Sequence, residues 1–224
     1  MPDYRWRFQN YQHPALQAAF DFSTLTPGGL MKNLVQRTGA TFDATVNGAL
    51  VLANPLIKAK RTKCMLFDGA TNWLSVPSGL NWQGDFSAAF WIKTLAAGAF
   101  ISIFTDTTGF TTGQVTTAPG HETCYRWFFN SGVLFQDTPE KHPIGNTYFV
   151  AMTRSGTVLK IFVNGRFASV GVAGAPPAAG VMYIGKWTGA SGYMNGYLDN
   201  MLLYSVALTP DQIVSIYRSA NPRA

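Results

Sequence analysis

Charged residues are scarce in this 224-residue chain: they make up 12% of it, against roughly a quarter in an average soluble domain. The chain is 47% hydrophobic and 14% aromatic, which excludes an intrinsically disordered protein, because disordered chains carry high charge and few aromatics. Long hydrophobic runs are missing too. No window approaches 18 apolar residues free of charge, glycine and proline, so no membrane insertion is expected.

Cysteine is nearly absent from the sequence. Cys64 and Cys124 are too few for the disulfide framework of a small secreted domain. We expect two reduced, buried thiols, and a single bridge between them is the alternative. No Cys-x-x-Cys pair or Cys/His cluster indicates zinc. Met1 to Arg5 lead into no apolar segment, so no secretory signal is expected.

Glutamate is the rarest charged residue, with Glu122 and Glu140 in different predicted loops. Glycoside hydrolases typically place two carboxylic acids about the scissile bond, and no ExDxxE motif occurs here. A GxSxG nucleophile elbow is missing as well. We therefore expect a protein that is not an enzyme and that uses no catalytic cofactor.

Positive charge is concentrated toward the N-terminus. Residues 1–63 carry eight Lys and Arg side chains against three aspartates, whereas the rest of the chain is nearly balanced. Residues 1–20 are predicted to be an arm or an extra strand, and residues 4–8 within it alternate aromatic and basic side chains. Its two arginines are too few to favour nucleic-acid binding. A solvated loop is the alternative for the basic run near residue 60. The residues predicted to dock a partner are Arg5, Trp6, Arg7, Lys58, Lys60, Arg61 and Lys63.

Short apolar runs separated by turn residues dominate from residue 64 onward. In the clearest hairpin, Val158–Val163 and Arg166–Val172 flank Asn164-Gly165, a dipeptide suited to both positive φ angles of a type I′ turn. Residues 105–120 are predicted to be a long loop, and residues 21–63 show little regular pattern. The other predicted strands are 64–67, 73–76, 86–94, 100–104, 125–129, 133–135, 148–154, 181–187 and 197–204.

One helix is predicted, near the C-terminus. Thr209 and Gln212 form a capping box, and Pro210 fits the first helical position. Many short strands with a single short helix predict an all-β sandwich or barrel.

Three stretches carry family-like motifs: the strand–turn–strand Cys64–Ser78, a hairpin made by Tyr148–Arg154 and Leu159–Gly165, and Ile184–Trp187 followed by Tyr193–Thr209. Together they resemble the laminin G-like jelly rolls of the concanavalin A-like lectin/glucanase type. The resemblance covers roughly residues 20–220. It implies a concanavalin A-like antiparallel jelly-roll sandwich over residues 21–224, with one short C-terminal helix. These motifs are structural, and the fold hosts many functions.

The resemblance also implies a structural calcium ion held by carboxylate and backbone oxygens. The matching positions here are Asp68 and Asp199, with Asp43 as a third candidate ligand. Two positions that are acidic in the family pattern are Asn72 and Asn200 here, which weakens the site. The alternative is that Asp68 caps its turn and Asp199 accepts a hydrogen bond from a neighbouring loop.

Sugar binding by such a fold would use exposed aromatic rings that stack on pyranose faces. Predicted loops contain or adjoin several large aromatic side chains, and core packing is the alternative for each of them. The candidates are Trp73, Trp82, Trp187 and Tyr193.

Two classes of function follow. The first is a non-catalytic structural component of a virion, such as a bacteriophage capsid-decorating, tail or fibre protein. Its arm and basic region would dock on other virion proteins or on a second copy. The alternative is a lectin-like carbohydrate-binding module that recognises cell-surface glycans. The first places the protein in the virion, and otherwise we expect cytoplasmic synthesis without a signal peptide.

Overall fold

The structure is a computed structural model. It describes residues 13–20, 22, 25–26, 30–31, 33–35, 43–49, 51–53, 56, 63–77, 84–96, 101–106, 111–115, 123–129, 134–172, 180–188 and 192–220. The strands are β1 Leu16–Phe20, β2 Leu25–Thr26, β3 Leu30–Met31, β4 Ala44–Asn47, β5 Val51–Ala53, β6 Cys64–Asp68, β7 Trp73–Val76, β8 Phe86–Thr94, β9 Ile101–Asp106, β10 Thr111–Val115, β11 Cys124–Phe129, β12 Leu134–Asp137, β13 Tyr148–Ser155, β14 Val158–Val163, β15 Arg166–Val172, β16 Met182–Ile184 and β17 Asn195–Tyr204, and the helix is α1 Pro210–Ala220.

The strands form two antiparallel sheets. Sheet I has the order β15-β14-β13-β8-β17-β6-β5, and β1 also pairs with β17. Sheet II has the order β12-β11-β10-β9-β16-β7-β4-β3-β2. Neighbouring strands in both sheets are often distant in sequence, as in β8 beside β17, which is the signature of a jelly roll rather than a meander. The predicted all-β jelly-roll sandwich with a short C-terminal helix is confirmed.

The main core lies between the two sheets. Phe67 and Phe90 of sheet I and Phe104 of sheet II are fully buried there, and the Phe90 and Phe104 rings meet edge to face at 6.2 Å. A second, smaller core lies between sheet I and α1, where Ile213 and Ile216 of the helix pack against apolar strand residues. Sheet I is therefore covered on both faces. This explains why the sequences of its central strands are nearly continuous runs of apolar residues.

A β-bulge in β17 reverses the alternation of its side chains. The register of β17 against β8 shifts between Asp199 and Leu202, and Asn200 has a positive φ of 50°. As a result Leu198 and Met201 both face the inter-sheet core, whereas Leu202 faces α1. Strict alternation would put Leu198 and Leu202 on the same face, and the extra residue of the bulge separates them.

The two strongest local signals of the sequence are confirmed. Asn164 and Gly165 have φ of 51° and 76° and join β14 to β15, as the type I′ turn requires. At the start of α1 the Thr209 amide donates to Gln212 Oε1 at 2.8 Å, and the Gln212 amide donates to Thr209 Oγ1 at 3.3 Å. Both motifs pair their own backbone groups through residues close in sequence, so they can be recognised without knowledge of the tertiary structure.

The expectation of a long loop over residues 105–120 is wrong, and the segment with little sequence pattern contains short strands. Residues 105–120 contain β10, whose residues pair with β9 on one side and β11 on the other. Residues 21–63 contain the short strands β2 to β5. Glycine weakens the strand propensity that threonine gives this segment, so here hydrogen bonds from neighbouring strands decide the conformation.

The N-terminal segment contributes to sheet I. β1 pairs with β17, and its residues Leu16 and Phe20 are buried. The alternating stretch around residues 4–8 lies outside the described residues. The same is true of the predicted site residues Arg5, Trp6, Arg7, Lys58, Lys60, Arg61 and Trp82. None of the helical segments in the described part of the chain has the length and hydrophobicity needed to cross a membrane.

Candidate functional site

Hydrogen bonds gather three loops at one end of the sandwich. The turn from Asp68 to Asn72 joins β6 to β7, and its Gly69 amide donates to the Met194 carbonyl at 2.8 Å. The Asn72 side-chain amide donates to the carbonyl of Ala49, after β4, at 3.0 Å. The segment that precedes β17 and the segment that follows β4 are thereby held beside the start of β7.

Two predicted site residues, Trp73 and Tyr193, meet at this end. Their ring centroids lie 6.1 Å apart. The Lys186 ammonium lies 4.2 Å from the Trp73 ring centroid, 5.2 Å from that of Tyr183 and 6.0 Å from that of Tyr193. All four side chains are half-buried, so each keeps a solvent-facing part. We name these four residues the Trp73 cluster.

The pleat of sheet II explains why the cluster faces outward. In β7, Leu74 and Val76 are buried in the core, so Trp73 and Ser75 point to the opposite face. Tyr183 is registered opposite Ser75 and therefore shares that outer face. Sequence reasoning missed Tyr183 and Lys186. Tyr183 stands between the apolar residues Met182 and Ile184 of a short strand, and this alternating pattern could have identified it as facing outward.

Polar side chains adjoin the rings. Asn47 of β4 is registered directly opposite Trp73, and its side-chain amide donates to Ser75 Oγ at 3.2 Å. The Lys186 ammonium is held over the rings by cation–π contacts and brings three N–H donors to this surface. Aromatic faces flanked by amide, hydroxyl and ammonium groups can hold a flat, hydroxyl-rich ligand.

Trp187 directly follows Lys186 and is half-buried. Gly185 anchors this segment, because its amide donates to the Ile103 carbonyl and its carbonyl accepts from the Met194 amide, at 2.8 and 2.9 Å. Lys63, the described member of the predicted docking residues, is exposed ahead of β6. A docking role for that group stays a prediction.

Asp68 caps the turn that precedes the cluster. Its Oδ1 accepts from the amides of Ala70 and Thr71 at 2.8 Å and from that of Asn72 at 3.2 Å, and its Oδ2 accepts from the Thr71 hydroxyl. Slight burial raises the pKa of Asp68, but these hydrogen bonds outweigh it and hold the pKa well below its usual range. The carboxylate is thus the form that the turn requires.

Asp68→Ala is therefore expected to lower the free energy of unfolding at neutral pH by on the order of 1 kcal/mol. Because the folded-state pKa is depressed, the contribution of Asp68 is complete above the unfolded value of about 3.9 and is lost as pH falls below it. Urea unfolding at pH 7, 5 and 3 measures this, with Asp68→Asn as the variant that keeps an acceptor without the charge. An unchanged pH dependence in Asp68→Ala would contradict the assignment.

Asp199 is fully buried at the bulge of β17. Its Oδ2 accepts from the Leu56 amide at 3.2 Å, and its Oδ1 accepts from the Asn200 side chain. Burial, with the charge of Asp199 beside it, raises the pKa of the Cys64 thiol to about 12, so that thiol is protonated and unreactive. Cys64 and Cys124 are both buried and reduced, in different sheets.

The carboxylates that the resemblance implied for calcium do not fit one coordination shell. Asp68 lies opposite Asn195 in the register, and Asp199 lies four residues further along β17, about 13 Å away at the usual rise of a strand. Asp43 accepts from the Asn33 amide at 2.9 Å. Over the described residues, three or more His, Cys, Asp or Glu side chains nowhere form a metal-holding group. Calcium binding stays a prediction from the resemblance.

Comparison with known proteins agrees with this architecture. The family described as the Concanavalin A-like lectin/glucanases superfamily, of laminin G type, matches residues 68–214. Comparison with curated protein sequences gives no match. The matched range contains the whole of the Trp73 cluster.

Several solved structures share this fold. Domain 4 of AbnA, a GH43 extracellular arabinanase from Geobacillus stearothermophilus in complex with arabinotriose, gives a TM-score of 0.71 at 19% identity, over 90% of this chain and 98% of that one. The binding domain of botulinum neurotoxin DC in complex with SialylT gives 0.68 at 14% identity, over 93% and 52%. Botulinum neurotoxin type C, whose cell entry depends on interaction with two ganglioside molecules, gives 0.69 at 14% identity, over 96% and 53%. The chain spans about half the length of these toxin chains, and identities this low establish the fold alone.

Proposed function

Because the chain belongs to the concanavalin A-like lectin/glucanases superfamily, we propose that it is a non-catalytic carbohydrate-binding domain that holds a saccharide on the Trp73 cluster. The fold itself is compatible with many activities, so the proposal depends on the site. The observation that carries it is the outward-facing group of Trp73, Tyr183 and Tyr193 around the Lys186 ammonium.

The chemistry of this group suits a sugar. The face of a pyranose or furanose ring is apolar and packs on an aromatic ring, whereas its hydroxyl groups need hydrogen-bond partners. Trp73 and Tyr193 provide the aromatic surface, and Lys186, Asn47 and Ser75 provide donors and acceptors beside it. Half-buried aromatic side chains lose little conformational freedom on binding, which favours affinity.

The fold neighbours support the same class of ligand. One is a domain of an arabinanase in complex with arabinotriose, and another is a toxin whose cell entry depends on gangliosides. Neutral pentose oligosaccharides and sialylated glycans are therefore the first ligands to examine.

A glycan array that includes arabino-oligosaccharides and sialylated glycans tests the proposal. We expect the purified chain to bind at least one glycan with a dissociation constant from micromolar to millimolar, typical of a shallow site with few anchors. Binding no stronger than that of bovine serum albumin to every glycan would refute it.

An assembly role as a virion component is the second candidate, and one surface feature favours it. β15 is an edge strand of sheet I and exposes Phe167, Val170 and Val172, which are 57%, 52% and 72% accessible. An apolar strand edge is suited to pairing with another chain. Light scattering distinguishes the candidates, since assembly through this edge requires a stable oligomer and a simple saccharide-binding domain is a monomer.

A further inference from the structure

A concave site lies beside sheet I, and none of the residues of the Trp73 cluster lines it. It is a cleft of about 730 Å³ between the turn of the β14–β15 hairpin, the C-terminal half of α1 and residues 139–142. Its volume is within the range of sites that bind small molecules. We name it the arginine cleft, after Arg166 and Arg218, which both line it.

Packing of the hairpin on the helix brings the two arginines to one cleft. A Cβ added at Gly165 would lie 2.8 Å from the Tyr217 ring, so the hairpin turn is in direct contact with that ring. Tyr217 in turn stacks on Trp91 of sheet I, with ring centroids 5.7 Å apart. Arg166 directly follows Gly165, and Arg218 directly follows Tyr217, so their backbones are fixed by this contact.

The arginine cleft has unbalanced positive charge. Arg166 and Arg218 are exposed and make no hydrogen bond or ion pair with the rest of the described chain. Lys141 adds a third cation, and Glu140 is the acidic residue of the lining. Arg218 also lies in the last turn of α1, where its charge complements the helix dipole without using its N–H donors.

Aromatic rings form the wall beside these cations. The rings of His142 and Tyr148 pack 5.2 Å apart at the edge of the cleft, and both residues line it. Burial lowers the pKa of His142, and the charge of Glu140 opposes this only in part, so the imidazole is neutral at pH 7. The positive charge at the cleft therefore comes from the Arg and Lys side chains.

We propose that the arginine cleft binds a small ligand through an oxyanion, a carboxylate, sulfate or phosphate group, held by Arg166 and Arg218. A guanidinium presents paired N–H donors that match the two oxygens of such a group. Arg166 and Arg218, which have no partner among the described residues, line the same cleft and so face the same ligand. The site is independent of the Trp73 cluster and goes beyond the function proposed for it.

Titration calorimetry with sodium phosphate, sodium sulfate and a glucuronate-containing disaccharide tests the proposal and distinguishes the three sources of the oxyanion. We expect at least one of them to bind the intact chain. Arg166→Ala and Arg218→Ala should each weaken that binding by about tenfold, and the double variant should abolish it. Arg166→Lys keeps the positive charge but lacks the paired N–H donors of the guanidinium, so its loss of affinity should be smaller than that of Arg166→Ala.

The matched control is the double variant Lys63→Ala/Lys93→Ala, which removes the same charge elsewhere. Binding that falls equally in this control would reflect net charge alone and would overturn the proposal. So would the absence of heat with all three probes, or full binding by the double arginine variant. Trp73→Ala should leave the oxyanion site unchanged, so failure of one site is distinguishable from failure of the other.

Discussion

Replacing Trp73 by alanine is expected to weaken saccharide binding by at least about tenfold, equivalent to ~1.4 kcal/mol. Trp73 lies closest to Lys186 and contacts Tyr193, so its indole is the surface on which the other members of the cluster converge. Aromatic residues at the centre of a binding surface commonly carry most of the affinity. Affinity for the best glycan of the array, measured by titration calorimetry, tests this.

Two variants make the measurement specific. Trp73→Phe keeps a smaller ring and should retain part of the affinity. Val172→Ala removes an exposed apolar side chain from β15, on the other sheet and outside the lining of the arginine cleft, and should leave saccharide binding unchanged. If Trp73→Ala bound as tightly as the parent protein while remaining folded, the ligand would lie elsewhere and the site assignment would be wrong.

Gly185→Ala is expected to destabilise the protein by about 3 kcal/mol, lowering Tm on the order of 10 °C. Gly185 has a φ of 86°, which costs a non-glycine residue about 1 kcal/mol. An added Cβ would also overlap the ring of Phe67, which is fully buried and so has no space to move into. Because Lys186 follows directly, this glycine also fixes the segment that carries the cluster.

Gly145→Ala separates the two causes of that loss. Gly145 has nearly the same φ, 87°, but nothing lies within 4 Å of a Cβ added there. It should therefore show only the backbone cost of about 1 kcal/mol. Combining Gly185→Ala with Phe67→Leu should recover part of the loss, since the smaller side chain relieves the overlap. Equal effects of the two single glycine variants in thermal unfolding would disprove the packing argument.

The parts of the fold that the sequence predicted are those determined locally. The type I′ turn at Asn164-Gly165 and the capping box at Thr209 and Gln212 satisfy their own backbone groups, so a few residues suffice to recognise them. β10 and the bulge at Asn200 could not be predicted in this way. β10 is fixed by hydrogen bonds to β9 and β11 on either side of it, and the bulge by the register of β17 against β8, a strand far away in sequence.

The candidate site was predicted in part for the same reason. Trp73 and Tyr193 were identified as exposed aromatic candidates beside turns, but their contact requires the pairing of β6 with β17. Tyr183 looked like an ordinary strand residue, and Lys186 had no local signal. The arginine cleft was not predicted, because Arg166 and Arg218 line one cleft only where the hairpin packs on the helix.

Chemical-shift mapping by NMR tests the central claim most directly. The ¹⁵N-labelled chain is titrated with the best glycan of the array, and the indole N–H and backbone amide signals are followed. The account predicts the largest shifts at the Trp73 indole and at the amides of Lys186 and Tyr193, with saturation at one common dissociation constant. Largest shifts at residues remote from these three, or no saturable shift at all, would contradict it.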